Sequence, residues 1–132
     1  MEAKKTGKTL LLSGRGDQTW EKHLRMAVEI LNKELDVATE MAIDDLPWSD
    51  YDLVILDAGA ISNMTEIISQ VRAHNMAARI ILFSSSPTWK QAREAMQAGA
   101  VDYAPKVLQR DQILAVIRRG LTKQISETPK QS

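Results

Sequence analysis

Residues 51–59, YDLVILDAG, set Leu53, Val54, Ile55 and Leu56 in an unbroken apolar run and close it with Asp57, Ala58 and Gly59. A strand with one wet face alternates apolar and polar side chains. An unbroken run of this length, stopped by an acid and a glycine, reads as a strand buried on both faces, as in a parallel sheet covered by helices. ARIILFSSS at 78–86 repeats the pattern, and TLLLS at 9–13 is a shorter version.

Between these runs the period changes. From Trp20 the apolar residues fall at Trp20, Leu24, Val28, Leu31 and Leu35, a helical stripe with Asp17 or Thr19 as its N-cap. Asn63 and Glu66 form a capping box for a helix carrying Met64, Ile67, Ile68 and Val71. Ser86 with Pro87 starts another helix, which Gly99 stops. RDQILAVIRRGL at 110–121 presents Ile113, Leu114, Ile117 and Leu121 on one side of a last helix. DVATEM at 36–41 is the second strand and VDYA at 101–104 the fifth, while AIDDLPWSD at 42–50 is too polar and short for a regular helix. Five strands alternating with helices predict a doubly wound, flavodoxin-like α/β domain with strand order 2-1-3-4-5.

The rest of the composition narrows the function. The chain has 132 residues, 44% of them hydrophobic, enough for one core. Seventeen basic and seventeen acidic residues cancel, so no global field points to nucleic acid or a membrane surface. There is no cysteine, hence no disulfide, thiol nucleophile or Cys-based zinc site. MEAKKTGK at the start carries no apolar signal core, and the expected location is the cytoplasm. The expected division is one domain over 1–125, with the polar residues 126–132 as a flexible tail or the start of a linker.

In open parallel sheets chemistry gathers beyond the carboxyl ends of the strands. Those ends are Ser13 and Gly14, Asp57, Ser84 and Ser85, and Lys106 just after the fifth strand. A carboxylate can accept a phosphoryl group, a hydroxyl can bond one of its oxygens, and an amine can neutralise its charge. The order and spacing of these residues resemble the receiver domain of two-component response regulators, from about Lys8 to Leu121. YDLVILD is similar to that family's third strand, RIILFSS to its fourth, and AMQAGAVDYAPK to its GADDYLxKP segment. The resemblance implies Asp57 as phosphoacceptor, Ser84 as the switching hydroxyl, Lys106 as the phosphate-contacting lysine and Tyr103 as the aromatic switch. It also implies a protein partner, a histidine kinase or an output domain. Docking, or a homodimer, would use the helix after strand four, strand five and the last helix, with Trp89, Arg93, Tyr103 and Arg118 on that face.

The chain departs from the family where metal chemistry belongs. Receivers end their first strand with an acidic pair that holds magnesium, and here Ser13 and Gly14 stand there. Asp57 with backbone oxygens is left to hold magnesium weakly, and Asp17, several residues beyond the strand end, is the nearest other acid. Metal stabilisation is worth several kcal/mol, and its loss slows phosphoryl transfer roughly a thousandfold. The turn after the phosphoacceptor is AGAISN, Val107 replaces the proline after the lysine, and the helix between strands two and three is shortened. Two readings follow: a silent pocket in which Asp57 and Lys106 form a permanent ion pair with Ser84 on a remaining lone pair, or a working phosphoacceptor. Neither makes the domain an enzyme beyond self-phosphorylation and dephosphorylation of Asp57.

Rival motifs are weaker. GKT at 7–9 precedes its strand and lacks the first glycine of a phosphate loop, and GRGDQT lacks the third glycine of a dinucleotide fingerprint. An FMN loop would draw on Ser13, Gly14, Gly16 and Thr19. Arg15, Gly16 and Asp17 spell an adhesion tripeptide, which we attribute to chance. His23 and His74 lack acidic or histidine partners at ligand spacing and are expected at the surface. Trp20 is expected in the core.

Overall fold

The computed structural model describes residues 7–13 and 17–123. The GRG of residues 14–16 and the tail at 126–132 lie outside them, and with them most of the FMN-loop and adhesion readings. Five strands, β1 (Lys8–Leu12), β2 (Glu34–Ala38), β3 (Tyr51–Asp57), β4 (Arg79–Ser84) and β5 (Asp102–Pro105), form one parallel sheet in the order β2-β1-β3-β4-β5. Four helices, α1 (Gln18–Ile30), α2 (Met64–His74), α3 (Trp89–Ala98) and α4 (Arg110–Thr122), complete the βα alternation. This is the flavodoxin-like architecture and strand order expected from the sequence.

The unbroken apolar runs sit where two-sided burial needs them. Leu10, Leu12, Val54, Leu56, Ile80 and Leu82 face one layer with Ile67, Ile68 and Val71 of α2 and Ala95 of α3. Leu11, Leu53, Ile55, Ile81 and Phe83 face the other with Trp20, Leu24 and Val28 of α1 and Ile113 and Ile117 of α4. A β-carbon at Gly120 would lie 2.5 Å from Ile81 Cδ1, so a glycine there lets α4 lie directly on β4.

Three boundaries differ from the pattern. The α1 stripe was expected to run to Leu35, but the helix ends at Ile30 because Asn32 takes a left-handed conformation (φ 59°) that turns the chain out. Leu35 belongs to β2, which therefore begins earlier than DVATEM and ends at Ala38. Helix α3 starts at Trp89 rather than at Pro87: the Ser86 amide donates to Ser84 Oγ, and the cap is Thr88, whose hydroxyl accepts from Gln91 N at 3.0 Å. Gly99 stops α3 at φ 127°, and the Asn63 side chain caps α2 by accepting from Glu66 N.

Between β2 and β3 the chain makes two short 3₁₀ turns, Glu40–Asp45 and Trp48–Asp50. Trp48 is buried and donates from Nε1 to Ile43 O at 2.7 Å. His74 stacks on Trp48 and meets Asp44 at 3.0 Å, an acidic partner thirty residues away that local spacing did not reveal. Among the described residues no helix is long and apolar enough to cross a membrane.

Candidate functional site

Parallel pairing brings the carboxyl ends of β1, β3, β4 and β5 to one edge of the sheet. Asp57 closes β3 with its side chain 5% exposed. Its Oδ1 accepts from Gly59 N at 3.1 Å and so caps the turn Ala58–Ala60 that follows. Its Oδ2 accepts from Lys106 Nζ at 3.1 Å. Lys106 is held in register because its amide donates to Ser84 O at 2.8 Å, tying the chain after β5 to the end of β4.

Lys106 has a second carboxylate. Asp17 Oδ2 pairs with the same ammonium, while Asp17 Oδ1 accepts from Trp20 N and caps α1. Beneath them the Trp20 ring lies 4.9 Å from Lys106 Nζ and tilts against Phe83. A cation over an indole is favourable, more so away from water, and the Lys106 side chain is only 9% exposed. Burial alone would lower the lysine's pKa; the hydrogen bonds and charges of Asp17 and Asp57 outweigh it and raise the pKa above its ordinary value. The Lys106 hydrogen bond holds the Asp17 carboxyl below the usual carboxylate range.

The expected trio is thus brought together in part. Asp57 and Lys106 meet. Ser84 lies buried at the end of β4, but its Oγ accepts from Ser86 N at 3.1 Å and shapes the loop before α3, so the sequence expectation that it would satisfy an Asp57 lone pair is corrected: Gly59 N does so. Tyr103, half-buried on β5, donates its hydroxyl to Gln91 Oε1 and accepts from Thr88 N at 3.1 Å, pinning the aromatic ring to the start of α3. Trp89 (88% exposed) and Arg93 on α3 and Arg118 on α4 are exposed on helices that both pack against β5, the sheet edge they were expected to flank.

The magnesium expectation fits this donor set poorly. Ser13 is buried at the end of β1, with its amide donating to Ala38 O, and Gly14 is outside the described residues. Among the described residues no three acidic or histidine side chains gather in a metal-holding group. The two carboxylates that do converge already share the Lys106 ammonium. The sequence offers Asp17 or Thr19 as the cap of α1 and Asp17 as the nearest other acid for magnesium; the structure makes Asp17 the cap and adds a role on Lys106 that the sequence reading missed. The available signal was its place three residues before Trp20, which sets the cap beside the ring that Lys106 lies over.

The family assignment follows from residues 15–118, which match the response regulator receiver domain. The chain belongs to that family. This receiver domain is therefore a signalling module of two-component systems. Among curated proteins no sequence relative matches it. Its fold is similar to that of a response regulator from Thermotoga maritima, at 19% identity and TM-score 0.76, covering 89% of this chain and 99% of that one. A two-component response regulator from Clostridium difficile is similar at 21% identity and TM-score 0.74, covering 89% and 98%. An orphan response regulator of H. pylori is similar at 19% identity and TM-score 0.72, covering 90% and 99%.

Proposed function

We propose that this receiver domain signals through constitutive protein contacts, with its phosphoacceptor pocket chemically silent. One observation carries the reading: both oxygens of Asp57 are engaged, by Gly59 N and by a Lys106 ammonium that Asp17 also holds. Each oxygen keeps a lone pair beyond its one hydrogen bond, so the deficit is of cation: a nucleophilic carboxylate needs positive charge free to receive the incoming phosphoryl oxygens. Here two carboxylates already share one ammonium, and a phosphoryl group on Asp57 would add negative charge to a cluster with an excess of it. The partner face is the one around β5, where Trp89 stands exposed beside Lys90 and Arg93 on α3 and where Arg118 projects from α4; aromatic and arginine side chains are enriched at contact hot spots.

A second reading, Asp57 phosphorylated by a partner histidine kinase, draws on the retained Asp57–Lys106 contact at 3.1 Å. Asp57→Asn separates the two. In the silent pocket the variant folds and signals as the wild type does, whereas loss of signalling with an intact fold supports phosphorylation. Acetyl phosphate with magnesium, followed by intact-protein mass, is the direct check: no added phosphoryl mass is expected.

A further inference from the structure

We propose that Asp17 is the residue that closes this pocket to anions, by holding the Lys106 ammonium that an oxyanion at Asp57 would need. The proposal rests on the silent-pocket reading and supplies its cause. Its geometry divides Asp17 cleanly. Oδ1 serves the helix, accepting from Trp20 N at 3.3 Å, and Oδ2 serves Lys106. Capping needs an oxygen acceptor, and the negative charge adds only a modest helix-dipole attraction to α1; its larger interaction is with the lysine.

Three further observations support the closure. Lys106 is confined from several sides, with Asp57 Oδ2 at 3.1 Å, the Trp20 ring at 4.9 Å and its amide fixed to Ser84 O, so two of its three ammonium donors are spent on carboxylates and the indole covers a further side. Abandoning Asp57 would strand a carboxylate whose side chain is 5% exposed, whereas Asp17 is 43% exposed and water can take over its charge. Asp17 is therefore the carboxylate that can be removed without leaving a buried charge behind. The lysine also stands between the two carboxylates that a divalent cation would have to bridge, which explains why the pocket's remaining acids fit magnesium poorly.

Asp17 acts as a positioning residue, through Lys106. The test uses Asp17→Asn and Asp17→Ser in the full chain, since both side chains keep a cap acceptor and neither carries charge. Beryllofluoride with magnesium, a small anion that mimics a phosphoryl group, is titrated while the amide resonances of Asp57, Gly59 and Lys106 are followed. Both variants are expected to give saturable shifts at a concentration at least about tenfold below any wild-type response. Variants that respond no better than the wild type overturn the proposal. A saturable wild-type response overturns the silent-pocket reading instead, and the comparison with the variants still decides the role of Asp17. Reductive methylation of Lys106, read by peptide mass, is independent of any phosphoryl chemistry: the neutral variants should react several-fold faster, and an unchanged rate overturns the closure.

Discussion

Lys106 is the residue on which most of the site depends, and its removal is expected to be felt in stability first. Lys106→Met leaves Asp57 buried without a counter-charge, and breaking one side of a buried pair costs about 3–5 kcal/mol. Urea unfolding should show that loss. Adding Asp57→Asn should restore a large part of it, because the stranded charge is gone while Oδ1 can still accept from Gly59 N. Equal unfolding midpoints for the single and double variants would mean that the pair does not govern the pocket's energetics. Trp89 makes the opposite case: 88% exposed, it adds nothing to the core. Trp89→Ala should leave stability within about 0.5 kcal/mol and, on the docking face proposed above, weaken capture of a protein partner.

At the scale of elements, caps and stops decide where helices lie more firmly than their apolar stripes do. The α1 stripe continues in register to Leu35, yet Asn32 ends the helix and passes Leu35 to the sheet. At the other boundary of this kind, Gly99 holds φ 127°, and a β-carbon there would approach Arg72 Cδ to 2.3 Å. Gly99→Ala is expected to destabilise the domain by about 1 kcal/mol or more and to disturb the entry into β5, measurable as a lowered Tm with unchanged helical content. The start of α3 depends on Thr88, and because Thr88 N also donates to the Tyr103 hydroxyl, the cap and the aromatic residue of β5 move together. Tyr103→Phe should therefore loosen the first turn of α3, seen as faster amide exchange at Thr88 and Gln91.

For the whole molecule, titration sets the range of pH over which the fold is strongest. Asp102 is buried at the start of β5, where Arg119 meets it at 2.6 Å, Lys123 at 3.3 Å and the Tyr103 amide at 2.8 Å. Burial alone would raise its carboxyl pKa, and these partners outweigh burial to hold it below the usual carboxylate range. Asp17 is lowered as well, by Lys106. Groups depressed on folding stabilise fully above their unfolded values and lose that contribution as pH falls through the folded ones. Lys106, raised on folding, does the reverse: its contribution is complete below 10.5 and fades at more alkaline pH. Urea midpoints should accordingly be level between about pH 5 and 10 and fall on both sides. Asp102→Asn should be less stable at neutral pH and show a shallower acid limb; an acid limb as steep as the wild type's would remove Asp102 from the account.

The sequence by itself determined the layered fold, because burial on both faces of a parallel strand leaves an unbroken apolar run that few other structures produce, and YDLVILD and RIILFS are such runs. It also determined that Asp57, Ser84 and Lys106 would reach one edge, since strand ends in a parallel sheet point the same way. The partners of those groups were decided only by tertiary structure. Asp17 reaches Lys106 across 89 positions, His74 reaches Asp44 across thirty, and Ser84 turns to its own loop rather than to Asp57. A local pattern records which side chains are buried. A hydrogen bond within about 3 Å is fixed by where the packed elements finally place their ends.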